Sequence, residues 1–161
     1  MLRILDITAP DIVNGNGIRI TLWVSGCTHK CKGCHNAWTW NYDQGKNFIE
    51  NKDEILDKLS GWLSRDYIEG ITISGGDPLD QDDVALSELL ELLKWVRKNY
   101  ENKTIWLYTG YEYEQLNEKQ KEVADYCDVI VDGPFIQEKR SFDCPFRGSS
   151  NQRILYMSSS K

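Results

Sequence analysis

The chain has 161 residues, of which 40% are hydrophobic and 27% are charged, and its formal net charge at pH 7 is −6. This length and composition are typical of one globular domain, so we expect a single domain over residues 1–161. The negative net charge argues against nucleic-acid binding. No apolar run approaches the roughly 20 residues of a membrane span, and the N-terminus has no signal-peptide pattern. We therefore expect a cytoplasmic protein without membrane contact.

Predicted strands recur along the chain as short segments that are rich in β-branched and aromatic residues. The five predicted strands are residues 19–25, 70–74, 104–109, 128–132 and 153–157. Helical patterns lie between several of them. Strand–helix alternation predicts a parallel sheet with crossover helices, and the chain is too short for the roughly 250 residues of a closed eight-stranded barrel. We therefore expect an α/β fold, an incomplete (βα) barrel with a mostly parallel sheet.

Three helices are predicted between these strands. The first begins at Asn51 and Glu54, which have the spacing of a capping box, and it carries one apolar stripe. The second is predicted to be capped by Asp80, and its leucines repeat at helical spacing. The third begins near Glu112 or Asn117 and runs to about residue 124. The first two helices thus each carry an apolar face.

A cluster of cysteines is the strongest chemical signal in the chain. Cys27, Cys31 and Cys34 are spaced as C-x3-C-x2-C, and the chain has five cysteines in all, an odd number that fits a disulfide framework poorly. A structural zinc site takes four protein ligands, whereas three thiolates can hold three irons of a [4Fe-4S] cluster and leave the fourth iron open. An open iron can bind a substrate or cosubstrate, so the spacing favours an iron–sulfur site.

Three other interpretations of these cysteines remain open. Residues 31–35 also spell C-x-x-C-H, the attachment motif of a c-type haem. That motif would leave Cys27 unused. The cysteines could also be three unmodified thiols on a turn, or zinc ligands that need a fourth partner. The candidate fourth zinc ligands are His29, His35, Cys127 and Cys144.

Polar and glycine-rich motifs follow three consecutive predicted strands. The cysteine loop follows the first, residues 75–78 (Gly-Gly-Asp-Pro) follow the second, and residues 109–111 (Thr-Gly-Tyr) follow the third. Sites in parallel α/β sheets gather at the carboxyl ends of the strands. We therefore expect these motifs to converge on one site, although residues 109–111 could equally form a simple turn.

These motifs resemble those of the radical S-adenosylmethionine (SAM) enzymes. The cysteine loop after a first strand is the signature of that superfamily, and residues 74–78 are similar to its Gly-Gly-Glu motif. More narrowly, the chain resembles the activating enzymes of anaerobic (class III) ribonucleotide reductases. The segments that carry this narrower resemblance are residues 11–17, 34–36, 132–135 and 147–153.

The resemblance implies a chemistry carried by cofactors, without a catalytic side chain. Cys27, Cys31 and Cys34 would bind a [4Fe-4S] cluster, and SAM would chelate its open iron. Reductive cleavage of SAM would give a 5′-deoxyadenosyl radical, which takes a hydrogen atom from a glycine of the large (glycyl radical) subunit of the reductase. A reductant such as flavodoxin or ferredoxin would supply the electron.

The resemblance also implies where SAM would be bound. The implied SAM contacts are Gly33, Cys34, His35, Gly75, Gly76 and Asp77. Two of these positions depart from the family pattern, because Asp77 stands where broader members have Glu, and Gly33 stands where many have an aromatic residue. We expect His29, between the first two cysteines, to point toward solvent or a partner.

Two other functions compete with this one. The chain could activate another glycyl-radical enzyme, of the pyruvate formate-lyase type. It could also be a non-catalytic metal-binding or electron-transfer module, which would not cleave SAM and would leave the Gly75-Gly76 pair unexplained.

Overall fold

Seven strands and three α-helices make up the regular structure of the computed structural model, which describes residues 1–34 and 36–157. The strands are β1 (Arg3–Asp11), β2 (Ile18–Val24), β3 (Lys46–Asn47), β4 (Ile68–Gly75), β5 (Thr104–Tyr108), β6 (Val129–Asp132) and β7 (Arg153–Tyr156). The helices are α1 (Lys52–Leu63), α2 (Asp83–Asn99) and α3 (Glu118–Asp125). None of the described helices has the length and apolar character of a membrane span.

All seven strands belong to one sheet in the order β3-β1-β2-β4-β5-β6-β7. The central pairs β2–β4, β4–β5 and β5–β6 are parallel, while the outer pairs are antiparallel. Only β1 and β7 therefore run against the other strands. Within the described residues the edge strands β3 and β7 do not pair with each other. This confirms the predicted α/β fold with a mostly parallel sheet that does not close.

The two faces of the sheet differ in chemistry because side chains alternate along each strand. One face is apolar and packs with the three helices into a single core. Its fully buried strand residues include Ile20, Leu22, Ile71, Ile73, Ile105, Leu107 and Ile130. The opposite, inner face carries polar and aromatic side chains, with Thr21 beside Thr72 and Trp23 beside Ser74. This inner face is the part of the sheet that is available to form a site.

The helices confirm the predicted periodicity but correct two of the predicted caps. Asp80 does not cap α2; the side chain of Asp82 accepts a hydrogen bond from the backbone N–H of Ala85 at 2.8 Å instead. Asn51 precedes α1 without a side-chain cap, and Glu54 pairs with a lysine rather than closing a capping box. The predicted start of α3 is correct, since Asn117 caps it.

Two strands, β1 and β3, were not predicted. The β1 segment contains two aspartates and a proline and shows mixed exposure, so it lacks the clear alternation of a half-buried strand. Its pairing is nonetheless extensive, from Ile4 opposite Val24 to Asp11 opposite Arg19. Strand β3 has only two residues. Both strands depend on partners elsewhere in the chain, which local patterns do not record.

Candidate functional site

The loops after β2, β4, β5 and β6 line one cleft at the carboxyl ends of these strands. The cleft is open to solvent, and its volume of about 130 Å³ is below the roughly 300–1,000 Å³ of pockets that enclose a small molecule. All three motifs that were expected to converge contribute to its wall. The motif residues that line it are Cys27, Cys31, Cys34, Gly75, Gly76, Asp77, Thr109 and Gly110. The predicted convergence is therefore confirmed.

The cysteine loop presents three free thiols to this cleft. The backbone N–H of Cys27 donates to the carbonyl of Trp40 at 3.1 Å, and a turn joins the N–H of Cys34 to the carbonyl of Cys31 at 3.1 Å. The Sγ of Cys34 accepts from the N–H of Asn36 at 3.4 Å. A set of sulfur donors on one short loop fits iron in a [4Fe-4S] cluster.

Burial raises the pKa of the Cys27 thiol to about 11. A thiol must lose its proton to ligate a metal, so metal binding at Cys27 would be coupled to proton release. Cys127, in contrast, is a fully buried hydrophobic residue whose Sγ donates to the carbonyl of Val123. Because it directly precedes β6, it lies at the opposite end of the sheet from the cleft, too far to complete a zinc site with the loop.

The glycine pair allows the end of β4 to pack directly against the end of β2. A Cβ on Gly75 would lie 2.3 Å from the carbonyl oxygen of Val24, and Gly75 has a φ of +118°. A Cβ on Gly76 would lie 2.2 Å from the carbonyl oxygen of Gly26, directly before Cys27. The absence of side chains thus brings the Gly-Gly motif against the backbone that carries the first cysteine.

Asp77 lies at the centre of a hydrogen-bond network under the cysteine loop. It is 1% exposed, and its Oδ1 accepts from the N–H of Leu79 at 2.9 Å. Its Oδ2 accepts from His29 Nε2 at 2.6 Å, from Thr109 Oγ1 at 3.0 Å and from the N–H of Gly110 at 2.8 Å. The expectation that His29 points toward solvent or a partner is therefore wrong. Residues 109–110 belong to the site.

A second carboxylate, that of Asp80, also holds the cysteine loop. It accepts from the N–H and hydroxyl of Thr28 at 2.6 and 2.5 Å, and from the hydroxyl of Tyr111 at 3.0 Å. Burial raises the pKa of Asp80, but the hydrogen bonds from Thr28 and Tyr111 and the nearby His29 together outweigh it, so the pKa is lowered. The hydrogen bond to Asp77 raises the pKa of His29. The sequence predicts Asp80 as a helix cap, and no local sequence pattern indicates its contact with the cysteine loop.

The far wall of the cleft is formed by the turn after β6 and the segment before β7. Gly133 and Gln152 line the cleft, and the amide of Gln152 donates to the carbonyl of Gly133 at 3.0 Å. Next to them, Arg153 Nε donates to the buried carboxylate of Asp132 at 2.9 Å, and its Nη2 donates to Glu114 at 2.7 Å. The conspicuous motifs at residues 132–135 and 147–153 thus build one wall of the site.

Two of the implied SAM contacts, Gly33 and His35, flank the last cysteine of the loop. Gly33 has a φ of +76°, in the left-handed region that favours glycine, and packs against the side chain of Gln137. His35 lies outside the described residues. The SAM contacts of Gly33, Cys34, His35 and the Gly-Gly-Asp motif stay predictions.

The class of protein follows from comparison with known families. The model of the 4Fe-4S single cluster domain family matches residues 13–155, most of the chain and all of the cleft loops. The chain is therefore a protein of the single-cluster [4Fe-4S] class.

Relatives narrow this class to one family. Three proteins named anaerobic ribonucleoside-triphosphate reductase-activating protein align along nearly the full chain. The relative in Enterobacteria phage T4 is 42% identical over 144 residues, which cover 89% of this chain and 87% of the relative. That in Escherichia coli K12 is 41% identical over 148 residues (91% and 94%), and that in Vibrio cholerae is 43% identical over 146 residues (89% and 91%). The chain belongs to the family of anaerobic ribonucleoside-triphosphate reductase-activating proteins, which confirms the predicted family.

Proposed function

We propose that this chain is a radical SAM activating enzyme that generates a glycyl radical on the anaerobic ribonucleoside-triphosphate reductase. The observation that carries the proposal is the cleft itself, where three free thiols of one loop lie beside the Gly-Gly motif at the carboxyl ends of the parallel strands. When bound, the [4Fe-4S] cluster and SAM supply the one-electron chemistry that removes a hydrogen atom from the glycine. The names of the relatives support the choice of reductase.

The chain's own residues position and enclose these groups. Cys27, Cys31 and Cys34 would hold the cluster through three of its irons. The backbone carbonyls of Gly75, packed against Val24, and of Gly76, packed against Gly26, would accept hydrogen bonds from the amino group of SAM. Because an alkyl radical attacks nearby C–H bonds without much selectivity, the accuracy of this positioning determines which hydrogen atom is taken.

The shape of the cleft supports a macromolecular substrate. A second cavity shares Cys34, Ser74 and Tyr108 with the cleft and continues along the inner face of the sheet to Val13. Val13 is exposed, so the continuous space opens to solvent at the side of the sheet. A glycine-bearing segment of the reductase could enter there and exclude water from the reacting groups. We also propose that residues 1–161 form a single domain, that the protein is cytoplasmic, and that flavodoxin or ferredoxin supplies the electron.

The test is to mix the reduced, cluster-loaded protein and SAM with candidate partners and to look for a glycyl radical by electron paramagnetic resonance (EPR). The proposal predicts the radical on the anaerobic ribonucleotide reductase and not on pyruvate formate-lyase. A radical on pyruvate formate-lyase alone would assign the chain to the other type of activating enzyme. No radical on either partner, with no cleavage of SAM, would favour an electron-transfer module.

A further inference from the structure

We infer that His29 and Asp77 form a positioning pair that fixes the cysteine loop over the ends of β4 and β5, so that Asp77 acts on SAM through the loop rather than by direct contact. The inference rests on the proposed function and assigns a role within that site. It differs from the direct contact that the Gly-Gly-Glu resemblance implies for Asp77. It also gives a role to His29, a residue of the loop that does not ligate the cluster.

The first argument is the number of hydrogen bonds that the Asp77 carboxylate already accepts. A carboxylate offers about four lone-pair positions, and this one already accepts four hydrogen bonds from the protein. Three of them converge on Oδ2, and the side chain is 1% exposed. Oδ1 accepts only from Leu79, but the buried side chain offers almost no surface to an ammonium group of SAM, so a direct contact would require the network to rearrange. Aspartate, one methylene shorter than glutamate, keeps the carboxylate within the network.

The second argument is that one oxygen atom of Asp77 connects three separate segments of the chain. The Oδ2 of Asp77 binds His29, 48 positions earlier in the chain, and Thr109, 32 positions later. It therefore ties the loop after β2 and the turn after β5 to the motif after β4. These are the three segments that were expected to build the site, and this carboxylate holds them in register.

The third argument is the fixed orientation of the His29 ring. The ring packs edge-on against Tyr111, with centroids 4.6 Å apart and an interplanar angle of 75°. Its other neighbour is Gly110, where an added Cβ would lie only 2.8 Å from His29 Cδ2. The ring therefore has little freedom to turn away from Asp77.

The fourth argument is the distance from the pair to the first cluster ligand. The Sγ of Cys27, a ring nitrogen of His29 and a carboxylate oxygen of Asp80 all lie within 4.8 Å of one another. His29 is also only two residues from Cys27 in the same loop, so a shift of the His29 backbone would move Cys27 as well. A binding geometry must be held to within about 0.5 Å by the residues that support it, so loss of the pair would misplace the cluster relative to the Gly-Gly motif.

The test measures SAM binding by the cluster rather than turnover. SAM is titrated into the anaerobically reconstituted, reduced full chain, and the change in the EPR signal of the cluster gives a Kd. His29→Leu removes the donor, and His29→Gln retains an N–H of similar reach. Lys32→Ala, at an exposed position of the same loop, is the matched control. Iron and sulfide are counted in every sample.

We expect His29→Leu to retain its iron but to raise the Kd for SAM about tenfold, while His29→Gln and Lys32→Ala stay within about threefold of the unaltered chain. An unchanged Kd in His29→Leu would overturn the inference, and so would a glutamine variant as impaired as the leucine variant. If His29→Leu does not fold, His29→Asn, whose amide is too short to reach Asp77, takes its place in the comparison.

A double-mutant cycle then separates positioning from direct contact. If His29 and Asp77 act as one pair, adding His29→Leu to Asp77→Asn leaves the Kd within about threefold of the Asp77→Asn value. If Asp77 binds SAM by itself, the two effects multiply, and the inference is overturned. Failure of the proposed function is a separate outcome, because the cluster of the unaltered chain would then not respond to SAM at all.

Discussion

Replacing Gly76 with alanine tests the close packing that brings the Gly-Gly motif to the cysteine loop. The new Cβ would lie 2.2 Å from the carbonyl oxygen of Gly26 and 2.6 Å from its carbonyl carbon. Both are backbone atoms, so the clash cannot be relieved by turning a side chain. The ends of β2 and β4 must separate, which weakens the hydrogen bond from the N–H of Gly76 to the carbonyl of Val24, now 3.0 Å long.

The expected cost has two parts. Overpacking of a well-packed site costs about 1–3 kcal/mol, and the weakened hydrogen bond adds about 0.5–1.5 kcal/mol. We therefore expect Gly76→Ala to lower the free energy of unfolding by about 1.5–4.5 kcal/mol. For a chain of this length, each kcal/mol lowers Tm by about 2–4 °C, so the shift should be roughly 3–18 °C.

The matched control is Gly61→Ala in the last turn of α1, where an added Cβ meets no atom within 4 Å. Alanine is the better helix former, so this variant should gain about 0.5–1 kcal/mol. Urea unfolding of both variants under anaerobic conditions, followed by circular dichroism, measures the two effects. A Gly76→Ala variant within about 0.5 kcal/mol of the unaltered chain would refute the packing argument, since about 1.5 kcal/mol is its lower limit.

The remaining predictions concern the cluster ligands and the wall of the cleft. Cys31→Ala should lose the stable cluster. Cys127→Ala should keep its iron and lose only about 1 kcal/mol of stability, because Cys127 is a buried hydrophobic residue at the far end of the sheet. An iron analysis that finds equal loss in both variants would contradict the ligand assignment. Arg153→Ala should destabilise the fold by about 2 kcal/mol, because it leaves the fully buried carboxylate of Asp132 without its charged partner. Glu114→Ala, at the exposed end of the same network, should have little effect in urea unfolding, and equal effects of the two would argue against a buried-charge origin.

The central strands and the place of the site were predictable because their signals are local. Residues 70–74 and 104–109 are apolar and β-branched segments bounded by glycine or polar residues, and both became strands. The carboxyl ends of parallel strands meet at one edge of a sheet. The sequence alone therefore places the cysteine loop and the glycine pair at one cleft.

The network under the loop could not be predicted, because it depends on which acceptor a donor meets after folding. Asp80 and Asp82 are both reasonable helix caps in sequence, and only the tertiary position of Thr28 decides that Asp80 holds the loop while Asp82 caps α2. His29 gave the same difficulty. A polar residue between two cysteines is usually exposed, and its partner Asp77 is 48 positions away.

The most direct test of the account is EPR spectroscopy of the anaerobically reconstituted, reduced protein with and without SAM. Three cysteine ligands predict a reduced [4Fe-4S] signal that changes shape when SAM is added, because SAM binds the iron that the protein leaves open. A cluster signal that is indifferent to SAM would contradict the account and favour electron transfer. Zinc in place of iron would leave a structural metal site.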